Sequence, residues 1–390
     1  MEKDIRSIGD FGMNQGRLEL VVEHVKRETS RGLYDGAVLL VSRRGEVVLH
    51  EAIGYTDLEK KRPARKDDVF FIMSVTKQLT TTVVLSRIDR GELSLTTPIA
   101  EVIPEFGIRG KKRITVGHLL THTAGISADL PPTLPLDQVG NLQAYVAAAC
   151  EMRLLRIPGQ VVSYNPFTAH AILAEMVRRL EGGKRPFRQI LAEELFEPLG
   201  MKDTSMGLRP DLASRRVPVV VRDRTPSLFE APLLEATNVF FTEETEIPAG
   251  GVFSTVLDIY RFTEMLRRGG ELDGVRVLSP SILRLATTNH TGTQPNDLFD
   301  CLREMHGWPE FPAFLGLGFF LRGEGVFPTP LGLTTSPGTF AGLGAGSTMF
   351  WVDPERDLTF VCLTAGLPEE GASLLRFQRL SDLVVAAATQ

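Results

Sequence analysis

The stretch FIMSVTKQLTT, from Phe71 to Thr81, places Ser74 three residues before Lys77 at the start of a helical pattern. Side chains at positions i and i+3 of a helix lie on one face and can touch. A serine in the first turn also meets free backbone N–H groups and the positive end of the helix dipole, which stabilise an oxyanion. A lysine removed from water loses proton affinity and can act as a base. The stretch is therefore compatible with an activated nucleophile and its base.

The same spacing also arises by chance. With average serine and lysine frequencies, a chain of 390 residues is expected to contain roughly one S-x-x-K. An ordinary helix that carries both residues is the alternative interpretation, so the rest of the sequence has to decide between the two.

The bulk composition excludes several classes of protein. With 390 residues, 43% of them hydrophobic, the chain can bury a large core in one big domain or two smaller ones. The net charge of -5 shows no excess of basic residues, so no nucleic-acid partner is expected. The 3 cysteines include no CxxC pair, which argues against a disulfide framework and a zinc site. No metal or other cofactor is expected.

The sequence gives no sign of export. The first residues, MEKDIRSIGDFGMNQGRLEL, lack the positive n-region and apolar h-region of a secretory signal. No run of about 18 apolar residues occurs, so no membrane span is expected. We therefore expect a soluble cytoplasmic protein.

Hydrophobic periodicity predicts an α+β fold. The chain opens with a helical pattern from Arg17 to Arg31 and then a hairpin that turns at Arg43, Arg44 and Gly45. Short strand patterns return late in the chain as GGVFS, GLGFFLR, STMFWVD and LTFVCLTA, and LLRFQRLSDLVVAAAT closes it as a helix. We expect one antiparallel sheet built from both ends of the chain, flanked by the terminal helices.

The middle of the chain is predicted to be a helical insertion. Helical patterns broken by Pro/Gly loops run from Ser74 to about Glu246. The prediction is one domain over residues 1–390, with an α/β subdomain from about 1–73 plus 248–390 and a mostly helical subdomain over about 74–247.

Several further segments lie in a fixed order around the Ser-x-x-Lys motif. They include ITVGHLLTHTAGI, PGQVVSYNPFTAHAILAEMV, EELFEPLGMKDTSM, PAGGVFSTVLDIYRFTEML and FAGLGAGSTMFWVDPERDLTFVCLT. Together they resemble the serine β-lactamase and penicillin-binding-protein superfamily, within it the class C β-lactamase-like branch, and most closely the family VIII carboxylesterases. The resemblance covers most of the chain, and HLLTHTAGI and AGGVFST are quite specific to the branch. It implies a β-lactamase/transpeptidase-like fold.

The resemblance also implies a role for individual residues. Ser74 would be the acylated nucleophile and Lys77 its proton partner, while Tyr164 would act as a second base and pass a proton to the leaving group. A tyrosine beside a lysine ammonium is expected to have a lowered pKa. The backbone N–H groups of Ser74 and Ala345 would form the oxyanion hole.

Two motifs depart from the β-lactamase pattern. Where β-lactamases of this branch have Tyr-x-Asn, with an asparagine that holds the substrate amide, this chain has Tyr164, Asn165 and Pro166. Asn165 stands one position early and is a candidate substrate-binding residue. Pro166 has neither a side-chain amide nor a backbone N–H.

In the second motif, this chain lacks the lysine or histidine side chain of its relatives. Where β-lactamases have Lys-Thr-Gly, and many relatives His-x-Gly, this chain has Gly342, Leu343 and Gly344. These residues and Phe340 are candidate substrate-binding residues. The missing cation would remove a charge-assisted contact with a substrate carboxylate, so the sequence favours an uncharged ester, amide or thioester.

His118 and His122 lie four residues apart, a spacing that zinc sites use. No third ligand accompanies them, and HTAGI is a landmark of the resemblance, so both are interpreted as structural.

These observations predict a serine hydrolase that forms an acyl-enzyme on Ser74, most simply a carboxylesterase. An acyltransferase of natural-product biosynthesis, which passes the acyl group to an alcohol or amine and can use a carrier-bound donor, remains open. β-Lactamase or D-aminopeptidase activity ranks below these two, as does a non-catalytic binding protein on the same scaffold.

Overall fold

The computed structural model describes residues 8–225 and 229–389. The α-helices in these residues are α1 (Gln15–Ser30), α2 (Thr76–Asp89), α3 (Ile99–Val102), α4 (Val116–Leu120), α5 (Leu142–Cys150), α6 (Thr168–Leu180), α7 (Phe187–Leu191), α8 (Ala231–Phe240), α9 (Val256–Arg267), α10 (Pro280–Ala286), α11 (Asp300–His306) and α12 (Glu370–Ala386). The strands are β1 (Gly36–Arg43), β2 (Glu46–Asp57), β3 (Arg62–Pro63), β4 (Phe70–Phe71), β5 (Ser205–Met206), β6 (Val252–Ser254), β7 (Glu271–Leu272), β8 (Val275–Arg276), β9 (Phe320–Leu321), β10 (Phe340–Gly344), β11 (Thr348–Asp353) and β12 (Leu358–Ala365). Short 3₁₀ segments and one π turn complete the list: Ile8–Phe11, Met73–Val75, Pro104–Gly107, Lys111–Arg113, Leu136–Gln138, Ala192–Phe196 (π), Pro210–Arg215 and Asp297–Phe299.

The two ends of the chain form the middle of one seven-stranded antiparallel sheet. Its strand order is β3-β2-β1-β12-β11-β10-β9. Strand β1 pairs with β12 along its whole length, from Gly36 opposite Ala365 to Arg43 opposite Leu358. The predicted α+β fold, with a sheet built from both termini, is confirmed.

The central strands are apolar on both faces because each face packs on helices. Every residue of β1 is buried. Ala37 and Leu39 belong to a core beneath the terminal helices α1 and α12, while Val38 and Leu40 belong to a larger core that includes α2, α6 and α9. A strand covered on both sides needs no polar alternation, which explains the continuous run AVLLV.

Helix α2 carries Ser74 at its N-terminal end and is buried almost throughout. Its residues from Thr76 to Arg87 are all buried, although many of them are polar. These polar side chains bond to neighbouring segments; Gln78 Nε2, for example, donates to the carbonyl of Gly318 at 2.7 Å. The helix is therefore held from all sides and fixes the start of the Ser-x-x-Lys segment.

Some elements differ from the predicted ones. The segment FRQILAEELFEPLGM, which lies in the predicted helical insertion, forms α7 followed by the π turn Ala192–Phe196. The strand predicted for GLGFFLR shortens to Phe320–Leu321. Helices α3 and α8, which lie in the predicted helical insertion, and helices α10 and α11 were not predicted individually. The two subdomain boundaries remain a prediction. In the described part of the chain, no helix combines the length and apolarity that crossing a membrane requires.

Candidate active site

Ser74 lies in the short 3₁₀ turn Met73–Val75, directly before α2. The preceding residue, Met73, has a φ of 49°, a left-handed conformation that is uncommon for a methionine. The Oγ of Thr348 donates to the carbonyl of Ile72 at 2.8 Å and so ties this turn to strand β11. The turn presents Ser74, which is half-buried, to two cavities.

Lys77 lies one helical turn after Ser74, with its amine buried. The residue is 1% exposed, and its Nζ lies 2.9 Å from Ser74 Oγ and 2.8 Å from the carbonyl oxygen of Ala249, to which it donates. Burial lowers the pKa of Lys77 well below its usual value. The amine is therefore poised to be neutral and to accept the serine proton.

The carbonyl that receives Lys77 belongs to a segment docked along α2. Thr80 Oγ1 donates to the Pro248 carbonyl at 2.7 Å, and the backbone N–H of Val252 donates to Thr76 Oγ1 at 3.1 Å. With the Lys77 bond to Ala249, three contacts hold the segment against one helix face. This explains why PAGGVFS belongs to the catalytic sequence pattern although it carries no reactive side chain.

Tyr164 completes the reactive group. It is 5% exposed, its hydroxyl shares a hydrogen bond with Ser74, and its ring centroid lies 5.0 Å from Lys77 Nζ. Burial raises the pKa of Tyr164, so the expected lowering is wrong. The prediction assumed a charged lysine, whereas the burial that lowers the pKa of Lys77 also disfavours a phenolate. Tyr164 is therefore a phenol that can donate a proton.

The ring of His122 packs against the ring of Tyr164, a contact that was not predicted from the sequence. The two ring centroids are 4.5 Å apart, and His122 Nδ1 accepts the backbone N–H of Asn165 at 3.0 Å. Burial, with a smaller effect from Lys77, lowers the pKa of His122 to about 3, so the ring is neutral. His118 instead bonds to Thr115. No three His, Cys, Asp or Glu side chains in the described ranges converge as a metal site would require.

Asn165 does not reach a cavity wall. Its Nδ2 donates to the carbonyl of Ser127 at 2.6 Å, its Oδ1 accepts from the N–H of Ala169 at 3.0 Å, and the residue is 3% exposed. Both ends of the amide are used within the protein, so the position of Asn165 argues against the predicted contact with substrate. Pro166 lies on a cavity wall instead.

The end of strand β10 passes beside the nucleophile. Leu343, Gly344 and Ala345 line a cavity together with Ser74. A Cβ on Gly344 would lie 2.5 Å from the carbonyl oxygen of Ile72, so only glycine allows this close approach. Ala345 has a φ of 25° in the turn that follows. The oxyanion hole formed by the N–H groups of Ser74 and Ala345 remains a proposal.

Phe340 and Gly342 lie in the interior rather than at the site. Phe340 is 4% exposed and packs edge-on against Phe319, with ring centroids 5.5 Å apart. A Cβ on Gly342 would lie 2.3 Å from Gln78 Oε1. These positions correct the prediction that both residues contact substrate, because the strand buries them under the wall that Leu343 and Gly344 form.

Two cavities meet at Ser74 and Ala345. The first, of about 90 Å³, is named the tyrosine cavity. Its wall includes Tyr164, Leu298, Phe299, Leu302, Phe320, Leu343, Gly344 and Glu370. The second, of about 190 Å³, is named the α8 cavity. Its wall includes Phe71, Met73, Leu136, Val139, Pro166, Phe167, Leu233, Ala236, Phe240, Ile247 and Gly250.

A family model described as Beta-lactamase matches residues 21–383, which is most of the chain. The chain belongs to the beta-lactamase family. The resemblance noted from the Ser-x-x-Lys motif and its ordered landmarks is thereby confirmed.

Several proteins to which this chain is similar carry esterase names. The chain is 28% identical over 384 residues to Esterase/beta-lactamase LipL of Mycobacterium tuberculosis, covering 90% of this chain and 81% of LipL. A solved family VIII carboxylesterase has a TM-score of 0.75 at 22% identity, covering 94% of this chain and 98% of that one. EstCE1, titled a hydrolase with promiscuous acyltransferase activity, has a TM-score of 0.75 at 21% identity, with coverages of 96% and 100%. The solved structures share the fold.

This beta-lactamase family member has cavity walls that sequence patterns did not reveal. Much of the α8 cavity wall comes from α8, and part of the tyrosine cavity wall comes from the segment around α11. One signal could have found α8, because Pro232 stands in the first turn of a short apolar run, a position that favours helix starts.

Proposed function

We propose that the protein is a serine hydrolase that cleaves an uncharged carboxylic ester through an acyl-enzyme on Ser74. The observation that carries the proposal is the buried Lys77 amine, 2.9 Å from Ser74 Oγ and held by the carbonyl of Ala249. A neutral amine at this distance is a general base for the serine. The esterase name of LipL and the family VIII carboxylesterase fold support the same reaction class.

Acylation uses all three reactive side chains. Lys77 takes the Ser74 hydroxyl proton as Oγ bonds to the ester carbonyl carbon, and the carbonyl oxygen becomes an oxyanion that the N–H groups of Ser74 and Ala345 stabilise. When the bond to the alkoxy oxygen breaks, Tyr164 gives its proton to that oxygen. The Lys77 ammonium then returns a proton to Tyr164. The alcohol leaves, and both bases regain their starting forms.

Deacylation follows the same kind of steps, with water as the nucleophile. Tyr164 takes a proton from the attacking water while it passes its own proton to Lys77, and the new oxyanion occupies the same two N–H donors. Collapse breaks the ester bond to Ser74, whose oxygen receives the proton from Lys77. The carboxylic acid is released into solution, where it ionises.

The preference for an uncharged substrate follows from the missing cation beside the tyrosine cavity. Gly342, Leu343 and Gly344 supply no cation where β-lactamases bind a substrate carboxylate. Glu370 adds a carboxylate to the wall of the tyrosine cavity. A substrate carboxylate there would be desolvated without the cation that β-lactamases supply. Weak activity is therefore expected on β-lactams that carry a free carboxylate. A neutral amide or thioester meets the same walls as an ester.

A fluorophosphonate probe and p-nitrophenyl butyrate test the proposal. Wild type is expected to form one covalent adduct, located on Ser74 by peptide mass mapping, and to hydrolyse the ester. Ser74→Ala and Lys77→Met are expected to lose at least about 10³-fold in kcat/KM. Ser94→Ala, at an exposed serine, is the matched control and retains full activity. Absence of both the adduct and turnover in wild type would defeat every catalytic interpretation and favour a binding protein.

Acyl transfer is a second candidate, because the incoming acceptor must reach the acyl-enzyme from the side of Tyr164. The tyrosine cavity there is lined mainly by apolar side chains such as Leu298, Phe299 and Phe320, which accommodate an alcohol better than water. A carrier-bound acyl donor is compatible with this scheme, since only its thioester would need to reach Ser74. Adding 1-butanol to p-nitrophenyl butyrate reactions should yield butyl butyrate. Release of butyric acid alone, at every butanol concentration, would exclude transfer to alcohols of this size.

A further inference from the structure

We propose that the acyl group of the substrate is an unbranched aliphatic chain of medium length, hexanoyl or longer, that lies in the α8 cavity. The inference rests on the proposed esterase function. It concerns which of the two cavities takes the acyl group and what chemistry that cavity selects.

Tyr164 decides which cavity receives which half of the ester. The leaving oxygen must lie near the Tyr164 hydroxyl, because that group supplies its proton. Tyr164 lines the tyrosine cavity together with Ser74 and Ala345, whereas the α8 cavity meets Ser74 and Ala345 without it. The alcohol half therefore points into the tyrosine cavity, and the acyl half points into the α8 cavity.

The wall of the α8 cavity is apolar from the nucleophile outward. Near Ser74 it consists of Met73, Ala249 and Gly250, and further out it is formed mainly by aliphatic and aromatic side chains. Thr237 contributes a hydroxyl, but that hydroxyl already donates to the carbonyl of Leu234 at 2.5 Å. No charged side chain lies among the lining residues within the described ranges. A polar acyl group would lose its hydration here without finding new partners.

The α8 cavity also opens to the surface, so it can accept a long acyl chain more readily than a wide one. Leu136 is 77% exposed, Phe240 is 40% exposed and Leu233 is 39% exposed, yet all three belong to the wall. Apolar side chains that surround an opening onto a buried nucleophile provide a path along which a chain can remain partly buried. With about 190 Å³ against about 90 Å³, the acyl side has twice the room of the alcohol side.

The expected selectivity follows from the burial of methylene groups. Each buried methylene contributes up to about fourfold to kcat/KM, the equivalent of about 0.8 kcal/mol. We therefore expect kcat/KM to rise through the acetyl, butyryl, hexanoyl and octanoyl esters of p-nitrophenol, with up to about a 15-fold increase between butyryl and hexanoyl.

Two substitutions in α8 test whether the α8 cavity causes the chain-length preference. Ala236→Trp places an indole on the cavity wall and should lower the octanoyl-to-acetyl ratio of kcat/KM at least tenfold while the acetyl ester is still hydrolysed. Val239→Trp adds the same bulk to the same helix at a position that is 86% exposed and outside the wall, and it should keep the wild-type ratio. Retained acetyl hydrolysis shows that both variants are folded.

The outcomes separate this inference from the proposed function. If wild type hydrolyses acetyl and butyryl esters but kcat/KM falls with each added methylene, the chain-length inference is overturned and the esterase proposal stands. An equal loss in both tryptophan variants would also overturn it. If no ester of the series is hydrolysed and the fluorophosphonate leaves Ser74 unmodified, the proposed function fails, and the inference fails with it.

Discussion

Replacing Lys77 by methionine is predicted to remove the catalytic base and also to change how stability depends on pH. In the native protein the buried amine has a pKa well below the usual 10.5, which it regains in the unfolded chain. Between these two values the unfolded state binds one proton more than the native state. The free energy of unfolding of the wild type therefore increases as pH rises toward 10.5, and it falls as pH drops toward the native pKa of Lys77.

The size of the effect follows from linkage. One proton of difference changes the free energy of unfolding by at most about 1.4 kcal/mol per pH unit. Between pH 8 and pH 10 the wild type should gain stability that Lys77→Met does not gain, at most about 2.5 kcal/mol, because the unfolded lysine is itself partly neutral near pH 10. Loss of the hydrogen bond to Ala249 costs the variant a further 1–3 kcal/mol, roughly independent of pH.

Urea unfolding of both proteins at pH 8, 9 and 10, followed by far-UV circular dichroism, measures this difference. Lys112→Met is the matched control, since that side chain is exposed, and its curve should run parallel to the wild type. If the stability difference between wild type and Lys77→Met stays constant within about 0.5 kcal/mol from pH 8 to 10, Lys77 is charged in the native state. The assignment of Lys77 as a neutral base would then be wrong.

Three further substitutions test other parts of the structure. Gly344→Ala forces a Cβ against the carbonyl of Ile72 and should lower kcat on p-nitrophenyl butyrate at least tenfold, while Gly338→Ala, where a Cβ meets only a side-chain atom at 3.5 Å, should not. Trp351→Ala empties a fully buried site beneath the terminal helices and should cost about 3–5 kcal/mol in urea unfolding. Asn165→Ala should cost about 1–3 kcal/mol and leave the chain-length preference unchanged, whereas an altered preference would restore Asn165 as a substrate contact.

The sequence predicted those parts of the molecule that depend on local pattern. The Ser-x-x-Lys spacing set Ser74 and Lys77 on one helix face, and they lie in contact. The hairpin predicted around Arg43, Arg44 and Gly45 and the apolar strands of both termini also follow from local chemistry, because a glycine turn and a run such as AVLLV have few structural alternatives.

The sequence could not show how far along an element the site extends. Phe340, Gly342 and Gly344 lie on one face of β10, yet only Gly344, at the end of the strand, lines the tyrosine cavity. Phe340 and Gly342 are covered by the packed interior, which a single sequence does not reveal. The same holds for Asn165, whose amide is taken up by Ser127 and the first turn of α6.

The protonation state of Tyr164 could not be predicted either. Its pKa depends on how much water reaches the phenol and on whether Lys77 is charged, and both are properties of the packed site. The neighbouring His122 belongs to a sequence landmark, but its packing on the Tyr164 ring became visible only in three dimensions.

The pairing of β1 with β12 has a consequence for biosynthesis. The ribosome completes β1 about 320 residues before it reaches the end of β12. At a translation rate of about 5–20 residues per second, the apolar hairpin of β1 and β2 waits roughly 15–65 s for its partner strand. During that interval the edge of β1 that β12 will cover is open, which is a condition under which nascent chains aggregate or recruit holdase chaperones. The yield of active protein should therefore depend on translation speed and on chaperone supply more than on the stability of the finished fold.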